Sequence, residues 1–201
     1  MASVQIKLGP KDHDRPLTLD DFDEAEFEPG FRYEIIDGRL YVSNEPNFAE
    51  NYLENWLFIK LITYSLQRQD IINYVTVKSR LFVHSRRKPT VPEPDIAAYR
   101  DLPRNKPFKD IHWRELGPVL VAEVLVEGDP YKDLERNREL YLEAPTIREY
   151  WILDGRENPE EPTLIQHRRR GKRWIVKSFP YSSTFTTKLL PGFSVVIDPR
   201  K

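Results

Sequence analysis

One carboxylate inside an apolar run constrains this 201-residue chain more than any other feature of it. The run is Val119-Leu120-Val121-Ala122-Glu123-Val124-Leu125-Val126, bounded by Gly117-Pro118 and Gly128-Asp129-Pro130. Short, β-branched and flanked by turn formers, it reads as a strand buried on both faces. An ionised Glu123 there loses its hydration, a penalty of several kcal/mol unless something compensates it. Upstream, Pro92-Glu93-Pro94-Asp95-Ile96-Ala97-Ala98-Tyr99 places a second carboxylate at the mouth of another apolar strand. Two acids on neighbouring interior strands repel each other, and a divalent cation is the usual reason to keep such a pair. The competing reading is structural, with Glu123 a buried acid paired with Arg32, Arg136 or Arg138.

Composition narrows the field. The net charge of −1 provides no global attraction for a polyanion, so any nucleic-acid contact must come from local basic patches. Cysteine is absent, which removes disulfides, thiolate chemistry and cysteine-ligated zinc and suits a reducing, cytoplasmic setting. No apolar stretch approaches the ~20 residues that span a bilayer, so no membrane association is expected. Residues 1–16 are polar and carry Gly9-Pro10 and Arg15-Pro16, and read as a flexible N-terminal arm. Residues 17–201 show no repeat or interior linker and read as a single domain.

Thr18 followed by Asp21 is a capping pair for a short helix running to about Ala25. Arg32–Ile36 and Arg39–Val42 flank Asp37-Gly38, a strong hairpin signal. From Asn47 to Gln69, Phe48, Tyr52, Trp56, Ile59 and Leu66, with Leu53, Leu57 and Leu61, predict a long helix packed on a sheet. A strand is expected over 74–83 and a long loop over 100–117. The Glu123 strand precedes a helix over 133–143 and a strand over 149–154. A hairpin turning at Arg170-Gly171-Lys172 and a last strand over 195–197 complete an α/β domain with a mixed sheet, flanking helices and additional β-hairpins.

Glu34, in the first hairpin, joins Asp95 and Glu123 as a third candidate acid. Were the three to converge, they would offer hard oxygen ligands to Mg²⁺, leaving the need for a cation near an attacking water. The ordered set resembles the PD-(D/E)xK nuclease superfamily and, more narrowly, the Uma-two family of restriction-endonuclease-like proteins. It comprises Leu17–Phe22, Arg32–Leu40, Glu93-Pro94-Asp95-Ile96, Val121-Ala122-Glu123-Val124-Leu125, Asp133-Leu134 with Tyr141, Glu149–Asp154 and Leu190-Pro191-Gly192-Phe193.

The resemblance implies a restriction-endonuclease-like core and a DNA endonuclease using Mg²⁺ or Mn²⁺. Asp95 and Glu123 would be metal ligands, with Glu34 auxiliary. The chain departs from the pattern where a lysine is expected: Leu125 stands two residues after Glu123, and Asn137 four after Asp133. Lys132 is the leading candidate for the catalytic cation, with Arg136 or Arg138 as alternative sources of the charge. These departures keep a second reading open, a catalytically degenerate module that binds nucleic acid or protein without cleaving. A homodimer is compatible with either.

The run His167-Arg168-Arg169-Arg170-Gly171-Lys172-Arg173 makes Arg168, Arg169, Arg170 and Lys172 candidates for phosphate contact, with Trp174 available to stack on a base. The plainer reading is a solvated hairpin turn. His84 and His112 lie near no acid at ligand spacing. Gly-rich phosphate loops, nucleophile elbows and His-Glu-x-x-His are all absent.

Overall fold

The computed structural model describes residues 6–201. The segment expected to be a loose arm is packed from residue 6 onward, while residues 1–5 of it lie outside the described residues. Strand β1 (Lys7–Leu8) pairs in parallel with β2 (Glu26–Phe27), and α1 (Leu19–Glu24) lies between them in the chain. Leu8 is fully buried against Leu17, Phe22, Tyr33, Ile35, Leu40 and Val91. One apolar residue with a place in this small core outweighs the polarity of its neighbours. Helix α1 is capped as expected, the Thr18 hydroxyl accepting from the Asp21 N–H and the Asp21 carboxylate from the Thr18 N–H.

Strands β3 (Phe31–Ile36) and β4 (Arg39–Asn44) form the hairpin around Asp37-Gly38. Both turn residues have positive φ, 50° and 73°, as a two-residue turn of the primed type requires. The hairpin is tied to the segment before Asp95 by the Val91 N–H donating to the Ile35 carbonyl at 2.6 Å. That tie sets β3 beside the segment entering the Asp95 strand.

Helix α2 (Phe48–Gln67) is capped by Asn47 and buries Leu53, Trp56, Leu57, Leu61 and Tyr64. The expected apolar face is only half right, because Phe48, Tyr52, Ile59 and Leu66 stand exposed on the other side.

The main sheet has the order β10-β9-β8-β7-β6-β5, formed by β5 (Tyr74–Val77), β6 (Ile96–Tyr99), β7 (Leu120–Leu125), β8 (Glu149–Asp154), β9 (Thr163–Arg170) and β10 (Arg173–Phe179). All neighbours are antiparallel except β7 and β8, which are joined by a helical crossover. Strand β5 ends at Val77, six residues earlier than its alternation suggests, since Lys78 turns to φ 55°. A small pair, β11 (Thr184–Thr186) with β12 (Ser194–Val196), closes the chain over Trp151.

Strand alternation divides the core. Leu120, Ala122 and Val124 pack with α2, whereas Val121 and Leu125 pack with Tyr141, Ala144 and Ile147 on the opposite face. Glu123 shares the second face. The crossover begins with a π turn (Lys132–Arg136), where an ordinary helix start was expected, and continues as α3 (Asn137–Glu143). No helix among the described residues is long and apolar enough to cross a membrane.

Candidate active site

Asp95 and Glu123 are brought together by sheet register. Ile96 pairs with Ala122, so the residue before Ile96 falls opposite the residue after Ala122. The Asp95 N–H donates to Glu123 Oε2 at 3.2 Å, and the Val124 N–H donates to Asp95 Oδ2 at 2.8 Å. Both side chains are buried. Glu34 arrives from the hairpin and accepts from the Glu93 N–H at 2.9 Å. The π turn delivers Lys132, Asp133 and Arg136 to the same place, and Asn137 follows on α3.

The counter-charges are distributed unevenly. Arg32 pairs with Asp95 and reaches Glu54 of α2 at 3.4 Å. Arg136 pairs with Glu34 at 2.8 Å, and Lys132 lies 3.8 Å from the same oxygen. Among the described residues, no cation is in ion-pair contact with Glu123. Its Oε1 accepts from the Tyr141 hydroxyl at 2.5 Å and from the Asn137 amide at 2.9 Å, and Asn137 also donates to Asp133 at 3.0 Å. The structural reading of Glu123 as the partner of Arg32, Arg136 or Arg138 is therefore incorrect: those three serve Asp95, Glu34 and Glu135. Glu34 in turn is ion-paired to Arg136 and Lys132, unlike Glu123.

Protonation equilibria follow this distribution. Burial would raise Glu34, but Lys132, Arg136 and the Glu93 N–H outweigh it and hold the carboxyl below its ordinary value. Burial, reinforced by Asp133 and Asp95, pushes Glu123 well above the carboxylate range. Asp133 is pushed up to about 7, by burial against the opposing pull of Lys132. Glu54 also rises to about 7, by burial and then by Asp95. Burial alone would lower the Lys132 ammonium, yet Glu34, Glu123, Asp133 and Asp95 together hold it above the ordinary lysine value.

Asp95, Asp133, Lys132, Arg32 and Glu54 open onto a cleft of about 520 Å³. Glu45, Glu50, Glu127 and Asp129 add to its acids, so carboxylates outnumber the two cations. Glu54 is a site residue that sequence reading missed. Its signal was an acid on the buried side of α2, between Leu53 and Trp56, where an apolar residue is the rule.

The oxygen donors suit a hard dication in chemistry. Among the described residues, however, no group of three or more His, Cys, Asp or Glu is arranged to hold a metal ion. The arrangement fits a site in which one or two carboxylates anchor an ion that keeps several waters, as Mg²⁺ commonly does, and not a three-acid cage. Asp95 and Glu123 would be the adjacent pair for such a site.

The basic hairpin lies elsewhere. Arg168 pairs with Glu149, which pairs with Leu120, so the turn beyond it sits toward the opposite end of the sheet from Glu123. Arg168, Arg170 and Lys172 are exposed. Arg169 is not available for phosphate contact. Its guanidinium donates to the carbonyls of Tyr141, Leu142, Ala144 and Ile147 at 2.5–2.9 Å, closing the C-terminus of α3. Alternation along β9 turns Arg169 toward α3 and its two neighbours away. Trp174 is likewise occupied, donating to the Arg138 carbonyl at 2.8 Å beneath the Arg169 guanidinium.

Comparison with known proteins bears on the family and the fold. The model of the Uma2 family, described as "Putative restriction endonuclease", matches residues 19–198. The chain belongs to the Uma2 family. Among solved structures, it is similar to one described as a putative nuclease belonging to DUF820 from Anabaena variabilis. The TM-score is 0.67 at 15% identity, over 90% of this chain and 96% of that one. At that identity the likeness establishes a shared fold, the nuclease fold expected from the motif order. No curated protein matches the chain.

Proposed function

We propose that this Uma2 chain is a divalent-cation-dependent nuclease hydrolysing phosphodiester bonds in DNA. The observation that carries the reading is the juxtaposition of Asp95 and Glu123 across β6 and β7, with Asp95 and Lys132 lining the cleft and Glu123 buried beside Asp95. Asp95 and Glu123 would hold Mg²⁺ or Mn²⁺, which supplies charge neutralisation at a phosphate oxygen and eases deprotonation of water. Lys132, protonated among four carboxylates, presents a fixed positive charge toward the cleft. Glu34 positions Lys132 and Arg136 through its ion pairs. An excess of acids around the cleft disfavours phosphate entry without added cations, consistent with metal dependence.

The test is nicking of supercoiled plasmid with Mn²⁺, comparing the native chain with Asp95→Ala. Cleavage by the native chain alone supports the reading. Equal background nicking by both supports the second reading, a module that binds without cutting. Two observations favour that alternative: Leu125 is buried among apolar residues where a lysine would be needed, and Asn137 has taken a bridging place between Glu123 and Asp133. A salt-sensitive DNA shift lost on neutralising Arg168, Arg170 and Lys172 would then locate its contact surface.

A further inference from the structure

Helix α2 carries two apolar faces, and only one of them is used. The solvent side presents Phe48, Tyr52, Asn55, Ile59, Ile62 and Leu66, which recur alternately at four and three residues. That is the seam spacing of a two-helix coiled coil, with one central asparagine of the kind that sets register. Phe48 is 82% exposed, Leu66 70%, Ile59 56% and Tyr52 46%. A shallow groove of about 270 Å³ runs beside the seam, floored by Trp56 and Pro199.

We propose that this face is the interface of a homodimer, in which α2 packs antiparallel against α2 of a second copy about a two-fold axis. The sequence is self-complementary in that arrangement. With the axis at the level of Leu57, Phe48 meets Leu66 of the partner subunit, Tyr52 meets Ile62 of the partner subunit, and Asn55 meets Ile59 of the partner subunit. An isologous contact needs this property, because each patch must fit itself reversed.

Charge favours the same occupant. The seam residues are uncharged, and the exposed flanking positions Asn51, Thr63 and Gln67 are neutral, so a copy facing a copy meets no like-charge repulsion. Lys60, the nearby cation, is directed to the Lys201 carbonyl at 2.9 Å.

Area points the same way. The four exposed apolar side chains alone present roughly 500 Å², taking about 150–250 Å² for a whole aromatic side chain. The polar flanks of a helix ~30 Å long bring the total toward the ~800 Å² per partner that a stable dimer buries. The arrangement is independent of the nuclease reading. It would set the two clefts toward opposite ends of the helix pair, because Asn47, Glu50 and Glu54, near the N-terminus of the same helix, line the acidic cleft.

The experiment is light-scattering mass measurement across a concentration series, on the full native chain and on Ile59→Glu and Phe48→Glu. The expected result is twice the chain mass for the native protein and a halved mass for each variant, with unchanged circular dichroism because both side chains are exposed. The chain has no cysteine, so Asn55→Cys offers a single thiol near the axis. A short bismaleimide should link it into dimers, whereas Lys172→Cys should stay unlinked. A native chain monomeric throughout, or a dimer that survives both glutamate variants, would overturn the proposal.

Discussion

Asn137 donates its side-chain amide to Glu123 at 2.9 Å and to Asp133 at 3.0 Å, a neutral residue bridging two buried acids. The amide supplies hydrogen bonds without charge, so the pair's repulsion is offset by the nearby Lys132 in part, and further by protonation or an added cation. Asn137→Ala is expected to destabilise the fold by about 1–3 kcal/mol, the penalty for leaving buried acceptors unsatisfied. Urea denaturation measures it, and an unchanged midpoint would show that the bridge carries no stability.

The same cluster makes an unusual pH dependence. Asp133 titrates near 7 in the folded chain and near its ordinary 3.8 when unfolded. Between those values the native state binds more protons, so this group's contribution is present at pH 4 and lost as pH rises through 7. Asp133→Asn should therefore raise unfolding stability at pH 8, by on the order of 2 kcal/mol, and change it little near pH 4. Paired melts of the native chain and the variant at the two pH values decide this. A gain of equal size at both would assign the effect to something other than charge.

The element order, the hairpin turn and the Asp95–Glu123 pairing were legible in sequence because each has a local signature. Asp37-Gly38 dictates its turn, and register in an apolar sheet carries the two acids together. The partner of each acid was not legible. Arg32, Arg136 and Arg138 are equivalent as residue types, and only the path of β3 and the π turn assigns them. Glu54 was hidden for the same reason: it reaches the site across space from α2. In the helix itself, two apolar stripes overlapped in sequence, and burial alone separates the Leu53–Leu57–Leu61 face from the Phe48–Ile59–Leu66 face.

Arg32 sits with Asp95 and Glu54 where a metal would compete for the Asp95 carboxylate. Arg32→Gln leaves both acids without their ion-pair partner, and a destabilisation of roughly 3–5 kcal/mol is expected in chelator. If Asp95 and Glu123 take a dication, millimolar Mn²⁺ should restore much of the lost melting temperature in Arg32→Gln and raise that of the native chain less. The added variant Glu123→Gln should abolish the restoration. Thermal shifts with and without Mn²⁺ give the answer, and an Arg32→Gln melt insensitive to Mn²⁺ would argue against a cation site here.

Arg169 separates the two readings of the basic run. Its guanidinium donates to four carbonyls around the end of α3 and lies 5.0 Å from the Trp174 ring, whereas Arg168 and Arg170 face solvent. Arg169→Ala strips donors from several carbonyls at once and removes the cation over the ring, so a loss of about 2–4 kcal/mol is expected. Arg168→Ala and Arg170→Ala should stay within about 0.5 kcal/mol of the native chain. Denaturant titration of the three variants tests the contrast, and near-equal effects would mean that the run acts as one exposed patch. If the hairpin does contact DNA, only the Arg168 and Arg170 variants should weaken binding while leaving the melt unmoved.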